Sequence, residues 1–319
     1  MPAFPCDLHT HSSISDGTDR PAALIRAAAR AGLSAVALTD HDTHRGNAPG
    51  RAAAEAAGLG FVPGVELSAH AAAIRLEPGE HPAPGDKLGT LHILGYGVRE
   101  NDPALQAIYD DQHAARATRN PEIIDKLRDL GYELTPEEVL AESDRRSNHL
   151  AVVGRPHIAQ ALIRKGYVAS VDEAFRTLIG EGQPAYIRRD RLPPKQAIDA
   201  IHHAGGVAVM AHPVQLNPRD DHHLLRMIDR LAELGIDGLE THHSDHPPTL
   251  VDRLVELARS RGLLTTGGSD YHGTRKPIAL GQMGCGIEAF EALRAAIAKR
   301  GGDPGAAIHP GCPRPAGGP

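Results

Sequence analysis

Short apolar runs alternate with longer amphipathic patterns along most of this chain, and this alternation is the feature that most limits its fold. Strands are predicted at residues 6–11, 35–39, 61–68, 91–96, 207–211, 238–241 and 263–267. Helices are predicted between them, at residues 21–31, 46–57, 194–204, 222–234 and 248–261. Because strands that alternate with helices form parallel sheets, seven strands indicate a closed or nearly closed α/β barrel. Asp19 is the predicted N-cap of the first helix and Gly32 its predicted end.

The pattern becomes helical throughout residues 101–183. Helices are predicted there at residues 103–130, 136–143, 155–165 and 171–179. We therefore expect a helical lobe at residues 101–183, inserted into a barrel made of residues 1–100 and 184–300. Residues 69–90 and the tail, residues 301–319, are rich in Pro and Gly and are predicted to be loop or disordered.

Composition excludes several classes of protein. The chain has 319 residues, 41% of them hydrophobic and 23% charged, which is typical of a globular protein. A net charge of -6 gives no general attraction to a polyanion, so no stable DNA partner is expected. No long apolar segment or secretion signal is recognisable, and Cys6, Cys285 and Cys312 form no C-x-x-C pair. We expect a cytoplasmic protein without a membrane span, a disulfide or a thiolate zinc site.

Histidines and carboxylates follow the predicted strands at the points where those strands end. His9 and His11 stand two apart on the first strand, so both side chains project from the same face. In barrels of parallel strands the C-terminal rim carries the catalytic residues. The remaining residues of this type near strand ends are Asp16, Asp40, His41, Asp42, Glu66, His92, His212, Asp270 and His272.

This mixture of imidazole and carboxylate predicts a site for two or three divalent cations such as Mn²⁺, Fe²⁺ or Zn²⁺. A bridging carboxylate can hold two such cations, and the pair generates hydroxide at neutral pH while binding the oxygens of an in-line displacement. Hydrolysis of a phosphate ester is the natural use of that arrangement.

Six ordered motifs resemble the PHP family, which is named for polymerase and histidinol phosphatase. They are HTHSSISDGT, ALTDHDT, VPGVELS, HILGY, VAVMAHP and GGSDYHG, and the resemblance extends from Cys6 to about Gly284. The segment GRPHIAQAL and the helical lobe resemble the stand-alone branch that includes 3',5'-nucleotide bisphosphate phosphatases and a 5'-to-3' oligoribonuclease. The resemblance implies a distorted (β/α)7 barrel and a phosphoesterase acting on a small nucleotide or short RNA.

The resemblance also implies a set of metal ligands. His9, His11, Glu66 and Asp270 would surround one cation. Glu66 would bridge to a second cation held by His92 and His212, and a third would lie between Asp16, His41 and His272. Asp270 and His272 are also the predicted catalytic residues of the rim. Asp40 is expected to orient a ligand rather than to bind a cation.

Residues outside the metal set are predicted to contact substrate. Arg155 and His157 open a helix of the lobe, and a helix N-terminus that carries an arginine is suited to bind phosphate. We predict that both residues bind a second phosphate group of the substrate. Glu240 and His243 follow a strand and are candidates for the substrate side only.

Two other functions are compatible with the motifs. A histidinol-phosphate phosphatase would use the same cations, although GRPHIA and the lobe resemble the nucleotide-directed branch more closely. A non-catalytic PHP module that stabilises a polymerase is disfavoured, because this chain has all nine ligand residues and no room for a polymerase.

Overall fold

Seven strands form a nearly closed barrel in the computed structural model, which describes residues 2–74, 89–142, 153–188 and 192–309. Each strand pairs with the next in sequence order. Leu8 N donates to Gly267 O over 3.0 Å and Asp270 N to His9 O over 2.9 Å, which joins the first strand to the last. The expected barrel is confirmed. The strands are β1 (Cys6–Asp7), β2 (Ala35–Leu38), β3 (Gly60–Ala69), β4 (Leu91–Tyr96), β5 (Val207–Met210), β6 (Gly238–His243) and β7 (Leu264–Gly268).

The expectation of a wholly parallel sheet is wrong at one strand. β4 runs antiparallel to both β3 and β5, whereas the other pairs are parallel. An antiparallel neighbour needs no crossover helix, and the described part of the β3–β4 connection holds only a short 3₁₀ turn, Ala71–Ala73. The reversal brings His92, near the start of β4, to the edge where the parallel strands end.

Helices cover the outside of the barrel and build the lobe. They are α1 (Pro21–Ala31), α2 (Asn47–Ala57), α3 (Pro103–Asp129), α4 (Pro136–Leu140), α5 (Arg155–Arg164), α6 (Val171–Ala174), α7 (Pro194–His203), α8 (Asp221–Glu233), α9 (Pro248–Ser260) and α10 (Ile287–Arg300). A π-helical turn, Phe175–Ile179, extends α6. Helix α10 was not among the predicted helices. It buries Phe290, Leu293 and Ile297 in a core that it shares with β1, β4 and β5.

The two ends of α1 test the capping predictions. Gly32 ends the helix in the left-handed conformation, with a φ of 89°, as expected. Asp19 is not the N-cap, because Arg20 occupies that position without a capping side chain. The Asp19 carboxylate instead accepts a hydrogen bond of 2.7 Å from the Tyr271 hydroxyl.

The lobe has a hydrophobic core of its own. Ile123, Leu127, Ile158, Leu162 and Ile179 are buried together in it. The first half of α3 packs instead with β3, β4 and α7, in a barrel core that includes its Leu105 and Ile108. One helix of 27 residues therefore spans both cores. The boundaries proposed for the lobe stay a prediction.

Two segments were expected to lack regular structure. Residues 301–309 are irregular but fixed, since Phe61 and Ala306 exchange two backbone hydrogen bonds of 2.9 and 2.8 Å. Residues 310–319 lie outside the described part of the chain, as do residues 75–88 of the 69–90 segment. Within the described residues, no helix is both long and apolar enough to cross a bilayer. Cys6 and Cys285 are free thiols, and Cys312 lies outside the described residues.

Candidate metal centre

All nine predicted ligands meet at one edge of the barrel, around Glu66. The first carboxylate oxygen, Oε1, lies 2.6 Å from His92 Nδ1 and 3.0 Å from His212 Nε2. The second, Oε2, lies 3.2 Å from His9 Nε2 and 3.0 Å from His11 Nε2. Each oxygen of Glu66 therefore faces a different pair of histidines, which is the arrangement expected of a bridging carboxylate.

Asp270 and Asp16 complete two further groups around this centre. Asp270 Oδ1 lies 3.3 Å from His11 Nε2 and 3.6 Å from His9 Nε2. Asp16 Oδ1 lies 3.3 Å from His272 Nε2. The side-chain donor atoms within each group lie within 4.8 Å of one another. The groups suited to a cation include His9, His11 and Asp270; His41, Glu66 and His92; and His11, Asp16, His41 and His272.

The backbone at the strand ends is held in conformations that non-glycine residues seldom adopt. Asp42, His212 and Asp270 have positive φ angles of 49°, 27° and 57°. Such conformations cluster at functional sites, where the surrounding structure enforces them. Gly268 lies two residues before Asp270, and a Cβ at Gly268 would lie 2.3 Å from the Cβ of His9. A glycine is therefore required for β7 to approach His9, which lies just after β1 and not on it as predicted.

Asp40 fixes the loop that carries the first ligands, as the sequence analysis predicts. Its Oδ1 accepts hydrogen bonds of 2.8 Å from Ser12 N and 2.7 Å from Ser15 Oγ. Its Oδ2 accepts one of 2.7 Å from Ser12 Oγ. Because both oxygens are occupied by the segment between His11 and Asp16, Asp40 orients that segment.

The charges of the rim favour cations. Burial raises the pKa of Glu66, but the imidazoles of His41 and His92 outweigh it and hold that pKa well below its usual range. Burial likewise raises the pKa of Asp270, and Lys276 with other neighbours brings it well below the usual value. Burial lowers the pKa of His41 and His92. Burial also lowers the pKa of His9 and His11, but the neighbouring carboxylates outweigh it and raise both pKa values. The ionised carboxylates of the rim therefore attract positive charge, and a divalent cation would replace the protons on those two rings.

Unsatisfied polar atoms supply a test of whether these residues fit a metal. Within the described residues, buried atoms that form no hydrogen bond include His41 Nδ1 and Glu66 Oε2, which lie 3.2 Å apart. Buried polar groups are nearly always paired in folded proteins. Glu66 Oε2 has ring nitrogens within about 3.2 Å yet no hydrogen bond, as around a shared cation. The donor set therefore fits divalent metal ions.

A cleft of about 170 Å³ leads from this rim to the lobe. Asp16, His41 and His92 line it on the barrel side. The lobe side carries Arg155, as predicted, and also two arginines of α3 that the sequence analysis missed. They are Arg116 and Arg119, spaced three apart on one face of the helix.

His157 lies beside Arg155 but does not line the cleft. It is 1% exposed, and its Nδ1 accepts a hydrogen bond of 3.1 Å from Gly154 N at the start of α5. Burial, reinforced by Arg275, lowers its pKa to about 4. These contacts fix the N-terminus of α5, and the predicted phosphate contact of His157 gains no support from them.

Glu240 and His243 do not face the cleft. Both are fully buried, and Glu240 Oε1 lies 2.9 Å from His9 Nδ1, on the side of that ring facing away from Glu66. Neither residue is among those that line the cleft, so their suggested place on the substrate side gains no support from the structure. Lys276, which the sequence analysis did not select, contacts Oδ2 of Asp270.

Known proteins share this fold and these residues. The family model described as PHP domain matches residues 7–183. A phosphoribosyl 1,2-cyclic phosphate 1,2-diphosphodiesterase from Eggerthella lenta is 35% identical over 84% of this chain and 94% of its own length. The 5'-3' exoribonuclease Rnm of Escherichia coli is 31% identical over 86% of this chain and 88% of its own. A 3',5'-nucleoside bisphosphate phosphatase from Chromobacterium violaceum is 31% identical over 83% of this chain and 86% of its own length.

A solved structure agrees in fold. A Bifidobacterium adolescentis protein described as a candidate metal-dependent phosphoesterase superposes with a TM-score of 0.80 at 30% identity, over 92% of this chain and 97% of its own. The barrel and its rim thus define a hydrolase of phosphate esters. The chain belongs to the PHP family.

Proposed function

We propose that this phosphoesterase acts on a ribose derivative that carries two phosphate groups, with one phosphate at the metal centre and the other at the arginines of the lobe. The observation that carries this proposal is the cleft itself. Its barrel wall presents Asp16, His41 and His92, and its lobe wall presents Arg116 and Arg155. A nucleoside 3',5'-bisphosphate or the end of a short oligoribonucleotide would offer one anionic group to each wall.

The arginines are held ready for an anion. The Arg155 guanidinium lies 5.0 Å from the centre of the Phe175 ring, and its NH1 donates to Ile179 O over 3.2 Å. Arg116 is 8% exposed, and its NH2 pairs with Asp42 while NH1 has no hydrogen-bond partner among the described residues. Planar guanidinium groups bind phosphate through two hydrogen bonds. Little side-chain entropy would be lost on binding.

At the rim we propose two or three divalent cations, of which Mn²⁺, Fe²⁺ and Zn²⁺ suit the donor atoms. When bound, such ions lower the pKa of coordinated water and neutralise charge on the phosphoryl oxygens. Glu66 would be shared between two positions, and Asp270 and His272 would face the reacting phosphate. Lys276 holds Asp270 Oδ2, which leaves Oδ1 directed toward His11.

A cyclic phosphodiester is the second candidate. The relative from Eggerthella lenta, at 35% identity, is named for a phosphoribosyl 1,2-cyclic phosphate, which also places two phosphates on one ribose. The two charged walls of the cleft would suit this substrate for the same reason. Histidinol phosphate has a single phosphate and would offer no second anionic group to the arginines of the lobe.

A substrate panel tests the proposal. Hydrolysis of adenosine 3',5'-bisphosphate, a ribose cyclic phosphate carrying a second phosphate, adenosine 5'-monophosphate and histidinol phosphate should be compared as kcat/KM. A charge-assisted contact contributes about 1.5 to 3 kcal/mol, so substrates with two phosphates should be preferred by about 10- to 150-fold. Arg155→Ala should remove this preference.

The control is Arg128→Ala, which removes an exposed arginine of α3 that pairs only with Asp125 within the described residues. It should hydrolyse every substrate as the wild type does. A wild type that prefers histidinol phosphate, or an Arg155→Ala variant that keeps the preference, would refute the proposal.

A further inference from the structure

A buried carboxylate behind the metal centre contacts two of its residues at once. Glu240 lies on β6 and is 0% exposed. Its Oε1 is 2.9 Å from His9 Nδ1, and its Oε2 accepts a hydrogen bond of 2.7 Å from His212 N. His9 and His212 belong to different metal groups in the proposed set, so one side chain spans both.

A β-bulge directly follows Glu240 on β6. The pairing of β6 with β7 shifts register between Glu240 and His242, so one extra residue lies on β6. Because side chains alternate along a strand, the extra residue turns His243 rather than His242 toward the barrel interior. His242 accordingly contacts the Phe4 ring, with 5.5 Å between ring centres. Bulges are frequent next to active sites, where they redirect a side chain.

The contact with His9 selects which ring nitrogen can bind a cation. A neutral imidazole carries one proton, and the Glu240 carboxylate can only accept, so the proton lies on Nδ1. The lone pair of Nε2 then points toward Glu66 Oε2 at 3.2 Å and Asp270 Oδ1 at 3.6 Å. Histidines that bind metals commonly donate their other ring N–H to a carboxylate in this way.

The contact with His212 acts on the backbone. His212 has a φ of 27° and a ψ of 66°, a conformation outside the common regions. Strained conformations persist only where the surroundings hold them. The hydrogen bond from His212 N to Glu240 is such a restraint, and it keeps Nε2 of His212 3.0 Å from Glu66 Oε1.

We infer that Glu240 is a positioning residue that holds His9 and His212 in the geometry needed to bind two different cations. The inference rests on the proposed metal set. A cation bound directly by His9, Glu240 and His243 is a competing arrangement, since their donor atoms also lie within 4.8 Å of one another. That arrangement would require His9 to bind through both nitrogens and lose both ring protons. His243 Nδ1 accepts a hydrogen bond of 3.1 Å from Asp245 N, so the ring proton lies on Nε2, which faces Asp270 Oδ2 at 3.4 Å.

Glu240→Gln is the test variant, because a carboxamide has one oxygen and can accept only one of the two hydrogen bonds. Asp237→Asn is a matched control at the other end of β6. Asp237 Oδ2 also contacts a backbone amide and an imidazole, Ala208 N and His202 Nε2, each at 2.8 Å. Those contacts lie away from the rim, so this control should lower stability without changing metal binding.

Metal binding is measured by titrating Mn²⁺ into the metal-free protein, with the bound metal counted after dialysis. Residues that support a ligand typically contribute about 10- to 100-fold to metal affinity. Glu240→Gln should weaken Mn²⁺ binding by that factor, and excess Mn²⁺ should recover kcat while KM stays near the wild-type value. Glu240→Asp, which keeps both oxygens on a shorter side chain, should fall between Glu240→Gln and the wild type, and it replaces Glu240→Gln if that variant does not fold.

Three outcomes would overturn the inference. The first is wild-type Mn²⁺ affinity in Glu240→Gln or in Glu240→Asp. The second is the loss of one whole bound cation with the others held as tightly as before, which would make Glu240 a ligand. The third is equally weak Mn²⁺ binding in Asp237→Asn, which would indicate a general structural effect. A wild-type protein that binds no divalent cation would instead refute the proposed metal set.

Discussion

The rim of the barrel and the lobe above it hold their charged side chains in different ways. At the rim, carboxylates and imidazoles from different strands compensate one another, as Glu66 does with the His9 and His92 rings. In the lobe, the Arg155 guanidinium lies over the Phe175 ring and donates a hydrogen bond to the Ile179 carbonyl. The rim is thus built to bind cations and the lobe to bind an anion. The difference separates the chemistry of hydrolysis from the choice of substrate.

Removing the metals should have the largest effect and should act on the rim alone. Exhaustive chelation is expected to abolish hydrolysis of every phosphate ester, and added Mn²⁺ to restore it, because metals supply both the nucleophile and the charge neutralisation. Metal at about 100 times its Kd should also stabilise the protein by about 2.7 kcal/mol. Phosphate release and thermal unfolding measure the two effects. Full activity in protein shown by elemental analysis to be metal-free would contradict the account.

Asp270→Asn should have the next largest effect. The substitution removes the charge that faces His9 and His11 but keeps the shape of the side chain. Asparagine also tolerates the positive φ of 57° at this position, so little strain is added. Residues that only support a metal ligand contribute about 10- to 100-fold to metal affinity or activity. Loss of the Asp270 charge itself should therefore lower kcat by more than about 100-fold.

The fold of Asp270→Asn should be retained, which circular dichroism and urea unfolding can check. Wild-type turnover in this variant would remove Asp270 from the centre. Loss of the folded state would show that the rim carboxylates support the barrel itself.

His157→Gln should have the smallest effect, and it concerns the lobe. Burial and Arg275 lower the pKa of His157 to about 4, whereas its ordinary value is 6.5. The folded protein therefore disfavours the protonated ring. The stability that depends on a neutral His157 is complete above pH 6.5 and is lost as the pH falls toward 4. Glutamine can accept the same hydrogen bond from Gly154 N without titrating.

The measurement is the unfolding free energy of metal-free wild type and His157→Gln at about pH 7.5 and pH 5. Between these values the wild type should lose about 2 kcal/mol more than the variant. Titration of the rim histidines affects both proteins equally, so it cancels when the loss in the variant is subtracted from the loss in the wild type. Equal losses in the two proteins would mean that His157 is not held neutral in the lobe.

Much of the rim could be predicted from the sequence, because its ligands follow from spacing on strands. His9 and His11 stand two apart and project together, and the strand ends of a barrel converge whatever their exact lengths. The direction of β4 could not be predicted, since an apolar run carries no sign of its orientation. The bulge in β6 could not be predicted either, and its one extra residue turns His243 rather than His242 toward the interior.

The lobe was harder to predict, because its function depends on tertiary burial. Arg116 and Arg119 are spaced three apart on α3, a pattern equally typical of an exposed helix face. Only the packing of that helix places them in the cleft. The pattern of α10 was readable, since Phe290, Leu293 and Ile297 recur at helical spacing, and the sequence analysis overlooked it.

The division between rim and lobe is tested most directly by one comparison of kcat/KM. Wild type, Asp270→Asn and Arg155→Ala are assayed with adenosine 3',5'-bisphosphate and with p-nitrophenyl phosphate, which has no second phosphate. Asp270→Asn should lower both values by the same factor and leave their ratio unchanged. Arg155→Ala should lower the value for the bisphosphate by about 10- to 150-fold and leave that for p-nitrophenyl phosphate unchanged. An Arg155→Ala variant that loses both activities equally would contradict the account.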